Sequence, residues 1–155
     1  MKINIFLCAL LISFSLSGQA QADTAEKFIG TWFLESIEAR SENGEWQTDA
    51  GIGPEPFGVI MYDSAGNMAV QIARRDRSIP DPENVDPNII NGYVAYAGTY
   101  ELDTQAGTVT HHKVVHINPN LGNQSGVRYY QLDGDSLILT VAPHKKVRLR
   151  WKRHQ

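Results

Sequence analysis

From Phe28 onward, apolar and polar residues alternate almost one for one, and the rhythm is broken at short intervals by clusters of Gly, Asn, Asp and Ser. A surface helix shows an apolar face every 3.6 residues and a half-buried strand every second residue, so this chain is predicted to fold into antiparallel strands. Eight can be read: Phe28 to Ala39, Phe57 to Tyr62, Met68 to Ala73, Val94 to Leu102, Thr108 to Ile117, Val127 to Leu132, Leu137 to Ala142 and Val147 to Lys152. Most are joined by short turns such as Asp63-Ser64-Ala65-Gly66-Asn67 and Asp133-Gly134-Asp135, whose Gly and Asn accept the positive φ that hairpin loops require. The predicted fold is all-β, an eight-stranded antiparallel up-and-down barrel, with a two-sheet sandwich as the competing arrangement. A barrel of eight strands has no exposed edge and an interior just wide enough for one small ligand.

Two connections depart from the hairpin rhythm. Gly51 to Pro56 carries two prolines that cannot donate to a sheet. The polar, Pro-rich connection 74–94 is longer, and its segment Pro87-Asn88-Ile89-Ile90-Asn91 is predicted to form one short helix starting at the proline. Connections of that length in a small domain are usually lids or binding loops. Arg74, Arg75, Asp76 and Arg77 stand at its start, as a solvated charge cluster or an attractor for an anionic ligand.

Residues 1–22 are expected to be a secretory signal peptide. Lys2 precedes the apolar run Ile3 to Leu16, and Ala20-Gln21-Ala22 offers small residues for cleavage near Ala22. The run is too short for a stable membrane span, which takes roughly 20 apolar residues. The remaining residues, 23–155, are expected to form one barrel domain, secreted or periplasmic. The single cysteine, Cys8, falls inside the signal, so neither disulfide nor thiolate chemistry is expected in the exported chain. A hydrophobic content of 42% and a net charge of −3 exclude a disordered chain. With no basic patch to neutralise phosphates, nucleic acid is not an expected partner. No dinucleotide fingerprint, phosphate loop, nucleophile elbow or HExxH motif is present, and no cofactor is expected.

Several segments carry a resemblance. Gly30-Thr31-Trp32 resembles the GxW signature of lipocalins, in which the indole closes the base of the barrel. Pro56-Phe57-Gly58-Val59-Ile60-Met61-Tyr62, Gly66-Asn67-Met68, Gly92-Tyr93-Val94-Ala95-Tyr96-Ala97-Gly98-Thr99-Tyr100-Glu101, Gly107-Thr108-Val109-Thr110-His111-His112, Gly126-Val127-Arg128-Tyr129-Tyr130 and Leu149-Arg150-Trp151 follow in order. Together they resemble the bacterial and fungal lipocalin-like domain family over Gly30 to Trp151. The resemblance implies a small calycin-type barrel and no single activity, since relatives occur both alone and beside biosynthetic enzymes. Many relatives read as cytoplasmic, and the export signal here is a departure.

The candidate site residues are those able to place a few polar groups inside such a barrel. If Trp32 points inward, strict alternation sends Leu34, Ser36 and Glu38 inward too, an apolar base grading into a polar mouth. Trp32 itself is expected in the core, covered by Arg148 or Arg150 through a cation–π contact. His111 and His112 face opposite sides of one strand, and His112 and His116 stand about 13 Å apart at roughly 3.3 Å per residue. They cannot chelate one ion together, so no metal site is expected. Whichever of His111 and His112 faces inward is a polar group of the cavity and a candidate general acid or base. Arg128 on the adjacent strand is costly to bury without a partner, which a ligand carboxylate, enolate or phenolate would supply. Tyr62, Gln71, Tyr96 and Tyr100, with His112 and Arg128, complete the expected ligand-binding set.

Two functions follow. One is an exported barrel that binds a small hydrophobic or amphiphilic molecule in its cavity. The other is a cofactor-free isomerase, cyclase or dehydratase (a lyase), with His111 or His112 moving a proton, Arg128 stabilising an oxyanion and a tyrosine acting as acid. Oligomeric state is not encoded in these patterns.

Overall fold

Strands that are apolar on one face bury that face by curling the sheet until it meets itself. Nine strands result: β1 (Gly30–Arg40), β2 (Trp46–Thr48), β3 (Phe57–Tyr62), β4 (Asn67–Ala73), β5 (Tyr93–Asp103), β6 (Thr108–His116), β7 (Ser125–Asp133), β8 (Ser136–Val141) and β9 (Val147–Arg153). The computed structural model describes residues 23–77 and 92–154. From β3 to β9 each strand pairs antiparallel with the next, and β1 pairs with both β3 and β9. Eight strands therefore close into the expected up-and-down barrel. β2 is a flap paired only with the end of β1, and at three residues it is too short to show any period in the sequence. The helix expected in the 74–94 connection falls on residues 78–91, outside the described residues. No helix among the described residues is long and apolar enough to cross a membrane.

The start of the first strand needs correction. Phe28 belongs to a short helix over residues 23–28, and β1 begins at Gly30. Its ring plugs one end of the barrel, 4.6 Å from the Tyr62 ring and 5.5 Å from that of Tyr130. The Trp32 indole N–H donates to the Phe28 carbonyl at 3.1 Å, tying the helix to the barrel floor.

Strict alternation also fails along β1. A bulge between Leu34 and Ser36 adds a residue opposite β9, so Ile37 becomes the inward residue after Leu34. Ser36 and Glu38 therefore do not line the barrel. Glu38 instead accepts from Arg148 at 2.7 and 3.0 Å and from Arg150 at 2.9 Å, across the seam where the first and last strands meet. The Arg148 hydrogen bond is the main reason that the Glu38 carboxyl lies below the ordinary range; desolvation opposes it, and the Arg150 hydrogen bond adds to the lowering.

The cation over Trp32 is neither Arg148 nor Arg150, and this too is a correction. Arg153 lies 4.1 Å from the Trp32 ring, while Arg148 stacks on Trp46 at 4.2 Å. The same Arg153 fork donates to the carbonyl of Lys27 in the last turn of the short helix and, at 2.8 Å, to that of Ile29 just beyond it. Arg153→Met is expected to cost about 2 kcal/mol, and Arg153→Lys to recover less than half of that, because an ammonium cannot serve two carbonyls and a ring face together. Thermal unfolding checks this, and an unchanged midpoint in Arg153→Met would contradict it.

A second bulge interrupts β5 and β6 between Ala97 and Gly98. Gly98 sits so close to β6 that a Cβ built on it would lie 1.9 Å from the His112 carbonyl oxygen. Lys113, opposite Gly98, keeps the alternation of Val109 and His111, and the extra residue Val114 then resets the inward face of β6, so that His116 comes to lie beside Tyr96. Inside, large aromatic side chains fill the half of the barrel under Phe28. The other half, toward Ile72, Val94 and Val147, is lined by smaller residues.

Candidate functional site

That second half holds a cavity of about 220 Å³. Most of its wall is aliphatic, from Ile37, Ile60, Val70, Ile72, Leu139 and Leu149, and its polar side chains are Tyr96, His111, Arg128, Asp49 and Trp151. Sparse polar groups on an apolar wall are the usual composition of a ligand pocket. A wider, more open depression of about 770 Å³ lies at the plugged end among charged residues of 23–27 and 133–135, and reaches none of the candidate residues.

His111 is the buried polar residue of the core, 0% exposed. It faces inward because it follows Val109 at the period of the strand. Its Nε2 is 2.7 Å from the Tyr62 hydroxyl and its Nδ1 is 3.0 Å from the Tyr96 hydroxyl. Tyr96 in turn accepts from Arg128 Nη2 at 2.9 Å, and Arg128 Nη1 donates to the Gly126 carbonyl at 2.7 Å. A continuous chain of four side chains, from strands β7, β5, β6 and β3, thus runs from the cavity wall into the core. None of the ion pairs among the described residues involves Arg128.

Electrostatics keep this chain in one protonation state. Burial lowers the His111 pKa well below the ordinary range, and the nearby charges of Arg128 and Lys113 push it the same way, so the imidazole is neutral. Burial raises the pKa of the Tyr62 hydroxyl strongly and that of Tyr96 less so, in each case against the pull of Arg128, so both stay protonated. The Lys113 ammonium lies 5.9 Å from the Tyr96 ring, and its pKa is lowered by desolvation and by Arg128. The polar wall is therefore a positive region.

The other candidates lie elsewhere. His112 is on the outer face, its Nδ1 2.8 Å from the Ser125 hydroxyl and its Nε2 3.5 Å from a Glu101 carboxylate oxygen, near enough for attraction but without a hydrogen bond. Gln71 is also outward, its amide oxygen accepting from the Tyr93 hydroxyl at 3.1 Å. Tyr100 points inward at the plugged end, where it packs on Phe28 and Tyr62 and donates to the Asp63 carbonyl at 2.9 Å. Tyr62 lies behind His111 and not on the cavity surface. His116 stacks on Tyr96 at 5.6 Å, and its Nδ1 accepts the Asn118 N–H. Among the described residues no group of three His, Cys, Asp or Glu side chains is placed to hold a metal ion. The cluster at the start of the long connection is spent locally: Arg74 pairs with Asp76, Arg75 donates to the Glu55 carbonyl, and Arg77 lies over the Tyr93 ring.

Sequence reasoning missed Trp151, Lys113 and Asp49. Trp151 is inward by alternation on β9, a signal that was present; it is buried, and its indole N–H has no hydrogen-bond partner among the described residues. Lys113 also carried a signal, since it follows Val109 and His111 at the period of the strand. Asp49 caps the turn after β2 by accepting the Ile52 N–H at 2.9 Å, at the cavity rim.

The chain matches one protein-family model, described as a lipocalin-like domain, over residues 29–154. No curated protein and no solved structure matches it.

Proposed function

This chain belongs to the lipocalin-like domain family, and on that premise we propose that its barrel binds one small, mainly apolar molecule in the cavity between Ile72 and Trp151. The observation that carries this reading is a space of about 220 Å³ with an aliphatic wall and its Tyr96, His111 and Arg128 groups joined by hydrogen bonds on one side. An apolar cavity of about 150 Å³ accommodates benzene, and drug-sized sites begin near 300 Å³. The size suits a single substituted ring or a short branched chain better than a long acyl tail.

A ligand at 100 times its Kd adds about 2.7 kcal/mol to stability, several degrees in Tm for a domain of this size. A thermal-shift screen of small ring compounds is expected to find such stabilisers. Val94→Trp, which places an indole at the partly buried rim of the cavity, is expected to abolish the shift while the circular dichroism spectrum is kept. Stabilisation that survives Val94→Trp would move the binding out of the barrel, and a screen with no hit would reject the reading.

Residues 1–22 serve as an export signal in this reading, and the ligand is met in the periplasm or outside the cell. A mature N-terminus at Asp23 in the exported fraction tests that. The side-chain chain from Arg128 to Tyr62 favours a second reading, a cofactor-independent isomerase, cyclase or lyase in the same cavity. Tyr96 would deliver a proton and Arg128 would hold an oxyanion, with His111 rather than His112 as the coupled histidine. Deuterium uptake from D₂O into a bound enolisable ligand, lost in Tyr96→Phe, separates catalysis from storage.

A further inference from the structure

We infer that the molecule held in the barrel is an acid, presenting a carboxylate oxygen to Tyr96 and Arg128 with its apolar body against the aliphatic wall. The inference rests on the cavity being the binding site and names the chemistry of its occupant.

The first argument is a proton count. Tyr62, neutral His111 and Tyr96 carry three polar hydrogens, and they share two hydrogen bonds. One O–H is therefore left over, at one end of the chain or the other. If His111 held its hydrogen on Nε2, the surplus would fall on Tyr62, which is 2% exposed and whose hydroxyl meets nothing but His111. Leaving that donor buried costs about 1–3 kcal/mol. With the hydrogen on Nδ1, Tyr62 donates to Nε2, Nδ1–H donates to Tyr96, and the surplus O–H belongs to Tyr96 on the cavity wall. Arg128 already donates to the Tyr96 oxygen, which leaves that hydroxyl able only to give.

The second argument is the sign of the wall. Arg128 has five N–H groups, of which Tyr96 and the Gly126 carbonyl take two, and it has no ion-pair partner among the described residues. Trp151, also on the wall, is 1% exposed with its indole N–H unpartnered. The single carboxylate at the cavity, Asp49, is turned to the Ile52 N–H at the rim. The interior thus offers surplus donors and positive charge. A planar carboxylate satisfies an arginine fork and a neighbouring hydroxyl together, which a neutral acceptor does less strongly.

Benzoate, benzamide and toluene, matched in size, separate the possibilities by isothermal titration of the mature protein. Benzoate is expected to bind at least about tenfold tighter than either of the others. Tyr96→Phe and Arg128→Gln are each expected to weaken benzoate by about tenfold or more while toluene is unaffected, and the retained toluene affinity shows that the cavity survives. Histidine ¹⁵N NMR is expected to show His111 as the Nδ1–H tautomer. Equal binding of benzoate and toluene, or of benzoate and benzamide, overturns the inference and leaves the apolar cavity standing as a binding site. An Nε2–H tautomer overturns it as well. If none of the three probes binds, the cavity reading and this inference fall together.

Discussion

Replacing Gly98 with alanine is expected to lower the stability of the barrel by about 3 kcal/mol or more, enough to leave much of the protein unfolded at growth temperature. The added Cβ would stand 1.9 Å from the His112 carbonyl oxygen, 2.9 Å from the Val114 nitrogen and 3.0 Å from the His112 carbonyl carbon. All three are backbone atoms, so no rotamer change relieves the overlap. Either β5 and β6 separate at the bulge, losing ladder hydrogen bonds, or the strand shifts and carries Tyr96 away from His111. Gly58→Ala is the comparison, since its Cβ would meet the Leu34 Cβ at 2.8 Å, the movable Leu34 Cδ2 at 2.9 Å and the Gln71 carbonyl oxygen at 3.3 Å, a milder overlap than the one at Gly98. Urea unfolding of the two variants should rank Gly98→Ala as far the worse, and similar midpoints would show that the bulge is soft.

The second large effect belongs to His111. His111→Leu keeps the volume but removes the acceptor for Tyr62 and the link to Tyr96, stranding a buried hydroxyl, and is expected to cost on the order of 2–4 kcal/mol. The same residue shapes the response to acid. Its pKa is low in the folded barrel and ordinary in the unfolded chain, so as pH falls below about 6.5 the unfolded chain takes up a proton that the native state refuses. Stability is fully present above that pH and is lost on acidification, at up to about 1.4 kcal/mol per pH unit for one such group. His116 is shifted the same way by partial burial and by Lys113, against a hydrogen bond from Asn118, so a His116→Asn background isolates the His111 contribution. Chemical denaturation between about pH 5 and 8 should show the slope shrinking in His111→Leu, and an unchanged slope would assign it to other groups.

Much of this architecture is written in the alternation of the chain. Strands of six or more residues announce themselves, and β3, from Phe57 to Tyr62, has the bounds that periodicity sets. The Arg128 and Tyr96 pairing was within reach because both stand at inward positions on strands expected to adjoin one β-ribbon. Bulges are another matter. An inserted residue costs little locally and leaves no compositional trace, yet it turned Glu38 outward on β1 and brought His116 to the inner face of β6. Gln71 and His112 fell on the outer face because alternation fixes which neighbours share a side but not which side is inner. Trp32 met Arg153 rather than Arg148 or Arg150 for a related reason, since cross-strand register is a property of two strands and not of one.

The seam between β1 and β9 has a temporal consequence. Glu38 and Arg148 are 110 residues apart in the chain, so the two strands that carry them cannot meet until all the strands between them have been synthesised. Until β9 has left the ribosome the sheet has two raw margins, each a template for another molecule's strand. Completion of the cylinder is thus a late, all-or-none event.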